Sequence, residues 1–104
     1  MREKRSHDRF PIELELVLVH QGERHRAQTK DVSLGGMFVH TSAPLRFGAE
    51  LEVELAIAAL KYEGKLPAIV RWQRGDGLGL AFRSLRARDV HAFNLLFKSG
   101  QTTK

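Results

Sequence analysis

Two groups of residues carry side chains whose type and spacing could do chemistry. Near the N-terminus, Arg5-Ser-His-Asp-Arg9 sets two arginines four positions apart in a polar stretch. Each guanidinium is a planar donor fork that matches phosphate, carboxylate or the O6/N7 edge of guanine. Further along, Asp31-Val-Ser33-Leu-Gly35-Gly36 brings a carboxylate, a hydroxyl and two glycines together. A carboxylate accepts from N–H donors, a hydroxyl both donates and accepts, and glycine lets backbone come close without a Cβ clash. The same residue types also build plain turns, Asp and Ser through Asx and ST hydrogen bonds and Gly through φ > 0.

No other part of the chain offers catalytic machinery. His7, His20, His25, His40 and His91 are scattered, and no His-x-x-x-His or acidic cluster has metal-ligand spacing. Glu13 and Glu15, and Glu50, Glu52 and Glu54, alternate with apolar residues and read as solvated strand faces rather than an acid–base pair. Ser33 has neither a nearby base nor a Gly-x-Ser-x-Gly elbow. Gly77-Leu-Gly79 lacks the third glycine of a dinucleotide fingerprint and leads into a strand, so it reads as a bulge or turn. The absence of cysteine excludes disulfides and thiolate chemistry and fits a reducing cytoplasm. The expectation is a protein that is not an enzyme and holds no metal or cofactor.

A length of 104 residues makes one domain. Its 42% hydrophobic and 28% charged content is that of a soluble globular protein. The longest apolar run, Leu55 to Leu60, is far too short to span a membrane, and the N-terminus has no apolar signal region. The net charge is +5, and eleven of the seventeen cations are arginine, which favours an anionic partner.

Positioning falls to β-structure. Residues 1–11 form a polar, flexible basic arm closed by Phe10-Pro11. Ile12 to His20 alternates as a half-buried strand, Gln21-Gly22 turns, and Arg24 to Lys30 returns as an edge strand before the Asp31–Gly36 loop. Further strands are expected at Met37–Thr41, Glu50–Ile57, Leu60–Glu63, Ala68–Gln73 and Leu78–Phe82, with an Asp-Gly turn inside Arg74–Gly77. From Ser84, a candidate N-cap, Leu85, Val90, Phe93, Leu96 and Phe97 follow a helical period that Ser99-Gly100 stops, leaving 99–104 as a frayed tail. The fold class is mainly β, a small antiparallel barrel or sandwich of five to seven strands with one C-terminal helix lidding an open end or crossing one face. If the first two strands form a hairpin, the arm and the Asp31–Gly36 loop emerge at the same end and flank one site.

Here the chain resembles the PilZ domain family of cyclic di-GMP receptors. The resemblance rests on Arg5-x-x-x-Arg9, on Asp31-x-Ser33-x-x-Gly36, on the order of elements, and on Val70-Arg-Trp72 followed by Gly77-Leu-Gly-Leu-Ala-Phe82. It covers about residues 2 to 98 and implies a six- to seven-stranded PilZ-like barrel over 12–98, with little left over for a second domain. It implies that Arg5 and Arg9 clamp guanine O6/N7 and phosphate oxygens and stack on the bases, and that Asp31 accepts from a guanine Watson–Crick edge. Ser33 would bond guanine or phosphate, with Gly36 and, secondarily, Gly35 giving close backbone approach. Lys4 sits where the family distinguishes one bound nucleotide from a stacked pair, and a cation there favours the pair. Trp72 would offer a stacking face if it lies near the site, although a lone strand tryptophan is more often core. The arm would order over the nucleotide, and a separate effector protein in motility, exopolysaccharide or biofilm control would read the change. No DNA or RNA partner and no membrane insertion are expected.

Two other readings fit the residues. A basic small barrel can bind single-stranded nucleic acid on aromatic platforms. Against that, aromatics are only 8% of the chain, and Phe10, Phe38, Phe47, Phe82, Phe93 and Phe97 mostly fall where core is expected. Alternatively the domain binds protein, with vestigial nucleotide motifs.

Overall fold

A computed structural model describes residues 8–102, with side chains as far as Lys98. Six antiparallel strands close into a barrel: β1 Glu15–His20, β2 Glu23–Val32, β3 Gly36–His40, β4 Glu50–Ile57, β5 Tyr62–Arg74 and β6 Gly77–Phe82. Around the barrel they run β1-β2-β3-β6-β5-β4. The inward positions are apolar because strand side chains alternate in and out. Leu16 and Leu18, Met37 and Val39, Leu51, Val53 and Leu55, Leu66, Ala68 and Val70, and Leu78 and Leu80 fill the interior.

One end of the barrel is closed by α1, Ala87–Thr102. Its buried stripe of Ala92, Phe93, Leu96 and Phe97 joins the core. The Phe93 ring stacks with Phe82 at 5.7 Å, and Phe97 stacks on Phe10 at 4.3 Å. Asp89, itself buried, fastens the helix start. Its carboxylate accepts from the Arg86 amide at 2.9 Å and from the Tyr62 hydroxyl at 2.7 Å. Burial opposes its charge, but these hydrogen bonds and the Arg86 guanidinium outweigh that and hold its carboxyl below the usual range. Burial and the same carboxylate push the Tyr62 hydroxyl far up. No helix among the described residues is long and apolar enough to cross a membrane.

The barrel departs from the sequence expectations at several places. β1 starts at Glu15, because Ile12–Leu14 is held differently: Thr29 donates its hydroxyl to the Ile12 carbonyl at 2.6 Å and accepts from the Leu14 amide at 2.7 Å. β2 is no edge strand, since closure pairs it with β1 and β3. The two strands expected on either side of Pro67 are one thirteen-residue strand, β5. Pro67 is tolerated because it lies opposite Arg83, just past the end of β6: its carbonyl still accepts from the Arg83 amide at 2.8 Å, and the ladder loses only the reciprocal bond at its end. In the β5–β6 hairpin the central pair is Gly75-Asp76 rather than Asp-Gly, with Gly75 at φ 57° supplying the left-handed position. The helix begins after Arg86, capped by Asp89 rather than Ser84, and it continues through Ser99-Gly100 to Thr102.

Two one-residue insertions re-aim side chains. The β2–β3 register slips between Thr29 and Asp31, and the β5–β6 register slips between Val70 and Trp72. Without them, Asp31 would follow Thr29 inward and Trp72 would follow Val70 inward. Each bulge adds one residue and flips the phase, so both side chains stand on the outer face.

Candidate functional site

The chain reaches the site through Phe10. Its backbone bridges Val32 with two hydrogen bonds, Phe10 N–H to the Val32 carbonyl at 2.8 Å and the reverse at 2.9 Å. Together with the Phe10–Phe97 stack, this docks the end of the expected arm on the last residues of β2. Arg9 is thereby delivered to Asp31. Its Nε donates to Asp31 Oδ1 at 3.0 Å, and its second guanidinium nitrogen lies 2.7 Å from the same oxygen. Both side chains stay about one-third exposed, so the pair is worth under about 1 kcal/mol and exchanges readily for a ligand. The expected convergence of arm and loop at one end therefore holds for Arg9. Arg5 and Lys4 lie outside the described residues.

Asp31 lies within strand β2, one residue before its end, rather than opening a loop, and it pairs with Phe38. Ser33 is buried and committed to its own turn. Its Oγ accepts from the Gly35 and Gly36 amides, each at 3.1 Å, while its amide donates to the Gly36 carbonyl at 2.8 Å. Gly36 is required for a packing reason and not for positive φ. A Cβ there would lie 2.0 Å from the Leu80 carbonyl oxygen, so glycine lets β3 approach β6. The Gly35 carbonyl accepts from Phe82 at 2.9 Å and stays partly exposed. The turn chemistry of Asp31–Gly36 is thus real, and it leaves Asp31 as the motif's outward-facing acceptor.

Trp72 is not core. It is 40% exposed on the outer face, above Gly79, where a Cβ would lie 2.2 Å from the indole. Its ring stacks on Phe38 at 5.0 Å, and Arg74 lies 5.1 Å above it. Phe38 in turn covers Gly77. The glycines of Gly77-Leu-Gly79 are therefore neither bulge nor turn but bare strand positions that seat two aromatic rings. Asp31, Phe38, Gly79 and Trp72 are successive partners across β2, β3, β6 and β5. They form one outer row about three strand spacings long, roughly 14 Å. Reading the sequence missed Phe38 as a member of this row and Arg74 as the cation above its indole. The signal was present in outward glycines opposite aromatic residues. Phe47, 70% exposed, is not a core residue, contrary to the expectation; Phe38 is buried as expected, at 9% exposure, but under Trp72 on the outer face rather than in the main core cluster.

Two open grooves of about 570 and 520 Å³ lie elsewhere. One is beside Glu54, Gly64 and Arg86, the other beside Leu16, Ala27 and His40. Neither includes Arg9, Asp31 or Trp72. Among the described residues no three His, Asp or Glu side chains group to hold a metal ion.

Fold and site define a small antiparallel β-barrel domain with an Arg–Asp pair and an aromatic row on its outer face. The PilZ domain profile matches residues 3–98, and the chain belongs to that family. The structure of Bacillus subtilis inhibitor of motility, MotI/DgrA, is similar at a TM-score of 0.80 and 20% identity, over 99% of this chain and 54% of that one. The chain thus spans about half the length of MotI/DgrA. The PilZ domain of CeSA from a cellulose-synthesizing bacterium is similar at a TM-score of 0.71 and 16% identity, over 88% of this chain and 96% of that one. No curated protein matches the sequence.

Proposed function

We propose that the chain is a non-catalytic, cytoplasmic receptor for cyclic di-GMP that relays its state to a separate effector protein. The observation that carries this reading is the Arg9–Asp31 pair on the outer face, one strand from the Phe38–Trp72 stack. Guanine offers O6 and N7 as acceptors on one edge and N1–H and N2–H₂ as donors on another. A nucleotide entering this row exchanges the internal pair for its own complement: the Arg9 fork goes to O6/N7 or a phosphate, and the Asp31 carboxylate takes the donor edge. Arg5 supplies the second fork and Lys4 a further phosphate contact, which favours a stacked pair of nucleotides. Trp72, backed by Phe38, gives a base a flat face. Ser33, Gly35 and Gly36 hold the turn that fixes Asp31, and the exposed edge of Gly35 gives the backbone approach. Ordering of residues ahead of Arg9 over the bound nucleotide is the change a partner reads. The family membership and the similarity to a motility inhibitor support motility as one output, with exopolysaccharide and biofilm control alongside it.

The outward Phe38 and Trp72 also favour a second reading, single-stranded nucleic acid on an aromatic platform. Calorimetric titration separates the two. Cyclic di-GMP should bind at micromolar affinity or tighter with mild salt dependence, and Arg5→Ala and Arg9→Ala should each lose at least about tenfold. Oligonucleotide binding that falls steeply with salt, with no heat from cyclic di-GMP, favours the platform reading instead.

A further inference from the structure

The connector between β3 and β4 holds an aromatic ring out in solvent on an ordered support. Ala49 N–H donates to the Arg46 carbonyl at 3.0 Å, and Gly48 adopts φ 85°, closing a type II turn with Phe47 at its corner. The turn is laid along β5: Gly48 N–H to the Val70 carbonyl at 2.8 Å, Val70 N–H to the Ala49 carbonyl at 3.0 Å, and the Gln73 side chain to the Leu45 carbonyl at 2.8 Å. Leu45 beneath is 3% exposed, whereas Phe47 is 70% exposed. These contacts set Arg46 and Phe47 alongside Arg71 and Trp72, with Arg74 above the indole. Arg46, Arg71 and Arg74 are exposed, and none forms an ion pair among the described residues, whereas Arg9, Arg24, Arg83 and Arg86 do.

We infer that this surface, Arg46 and Phe47 with Arg71 and Arg74, docks a protein segment that presents carboxylates around an apolar pocket for the Phe47 ring. Aromatic and arginine side chains are what protein interfaces enrich, and a ring kept exposed on a fixed turn needs no reordering to be buried. Two arginine forks without ion-pair partners among the described residues, Arg46 and Arg71, beside a third resting on an indole, call for bidentate carboxylates, where a lipid surface would be served equally by lysine. The net charge of +5 adds long-range attraction for an acidic partner. The inference does not rest on nucleotide binding, since Arg46, Phe47 and Arg71 are outside the proposed nucleotide site.

The probe is a short unfolded peptide of Asp, Glu and Leu, compared with its Asn/Gln counterpart, titrated into the isotope-labelled chain. The acidic peptide should shift the amides of residues 45–49 and 70–74 and bind at least about tenfold more tightly than the neutral one. Phe47→Ala and Arg71→Glu should each weaken it about tenfold, with the circular dichroism spectrum and cyclic di-GMP affinity unchanged. Equal affinity for the two peptides, no binding at millimolar concentration, or indifference to Phe47→Ala overturns the inference. So does binding to phosphatidylglycerol vesicles in place of the peptide, which would make the surface a membrane contact. A chain that binds the peptide but ignores cyclic di-GMP removes the nucleotide reading alone.

Discussion

The inner and outer faces of β2, β3, β5 and β6 are built from the same strands on opposite rules. Inward, Met37, Val39, Ala68, Val70, Leu78 and Leu80 are each at most 4% exposed and follow a strict alternation. Outward, the row holds a carboxylate, two stacked rings and a glycine. Two register slips, before Asp31 and before Trp72, separate the faces. The core is thus generic apolar packing, while the site is made by two extra residues that take side chains out of the core phase.

That contrast can be broken from either side. The largest effect belongs to the core: Phe93→Ala, at 0% exposure on the buried stripe of α1, should cost about 3–5 kcal/mol in denaturant unfolding and abolish binding only through unfolding. Gly36→Ala drives a Cβ into the Leu80 carbonyl and should cost about 1–3 kcal/mol while pulling Asp31 and Arg9 apart, so stability and cyclic di-GMP affinity fall together. Tyr62→Phe leaves the buried Asp89 carboxylate short of a donor and should lose about 1–3 kcal/mol with ligand affinity unchanged. Asp89 also sets a pH dependence. Its carboxyl is held below its unfolded value of 3.8, so the stability it contributes is present above that pH and drains as pH falls through the folded value. Unfolding midpoints measured from about pH 5 to pH 2 should show this loss, and Asp89→Asn should flatten it. The smallest effect on stability belongs to the outer face. Trp72→Ala should change unfolding by under about 1 kcal/mol yet lower cyclic di-GMP affinity by about tenfold, the reverse of Phe93→Ala.

Much of the barrel was legible because alternation is a local property. β4 runs over Glu50–Ile57 as its pattern requires, and the buried stripe of α1 matches Phe93, Leu96 and Phe97. The Arg9–Asp31 encounter was legible from chain order, given a β1–β2 hairpin. What stayed hidden depends on partner strands. A bulge is defined by the residue across from it, so neither Asp31 nor Trp72 announces its outward phase. Pro67 reads as a breaker until the pairing shows it opposite the residue just past the end of β6, where only a terminal ladder bond is lost. Gly36 looks like turn chemistry, and only the Leu80 carbonyl reveals why a side chain is excluded. Phe47 counts as core by type; the turn that holds it in solvent is closed by hydrogen bonds to β5.

The central claim is that Arg9, Asp31 and the Phe38–Trp72 stack form a single ligand face. Amide chemical-shift mapping during a cyclic di-GMP titration tests it most directly, with the lone tryptophan's indole signal as an internal reporter. Saturable shifts at residues 9, 31–36, 38 and 79 and at the Trp72 indole, with the inner-face residues Leu18, Val53 and Leu66 unmoved, are the expected result. Shifts confined to the grooves beside Gly64 or Ala27, or none at millimolar nucleotide, would contradict it.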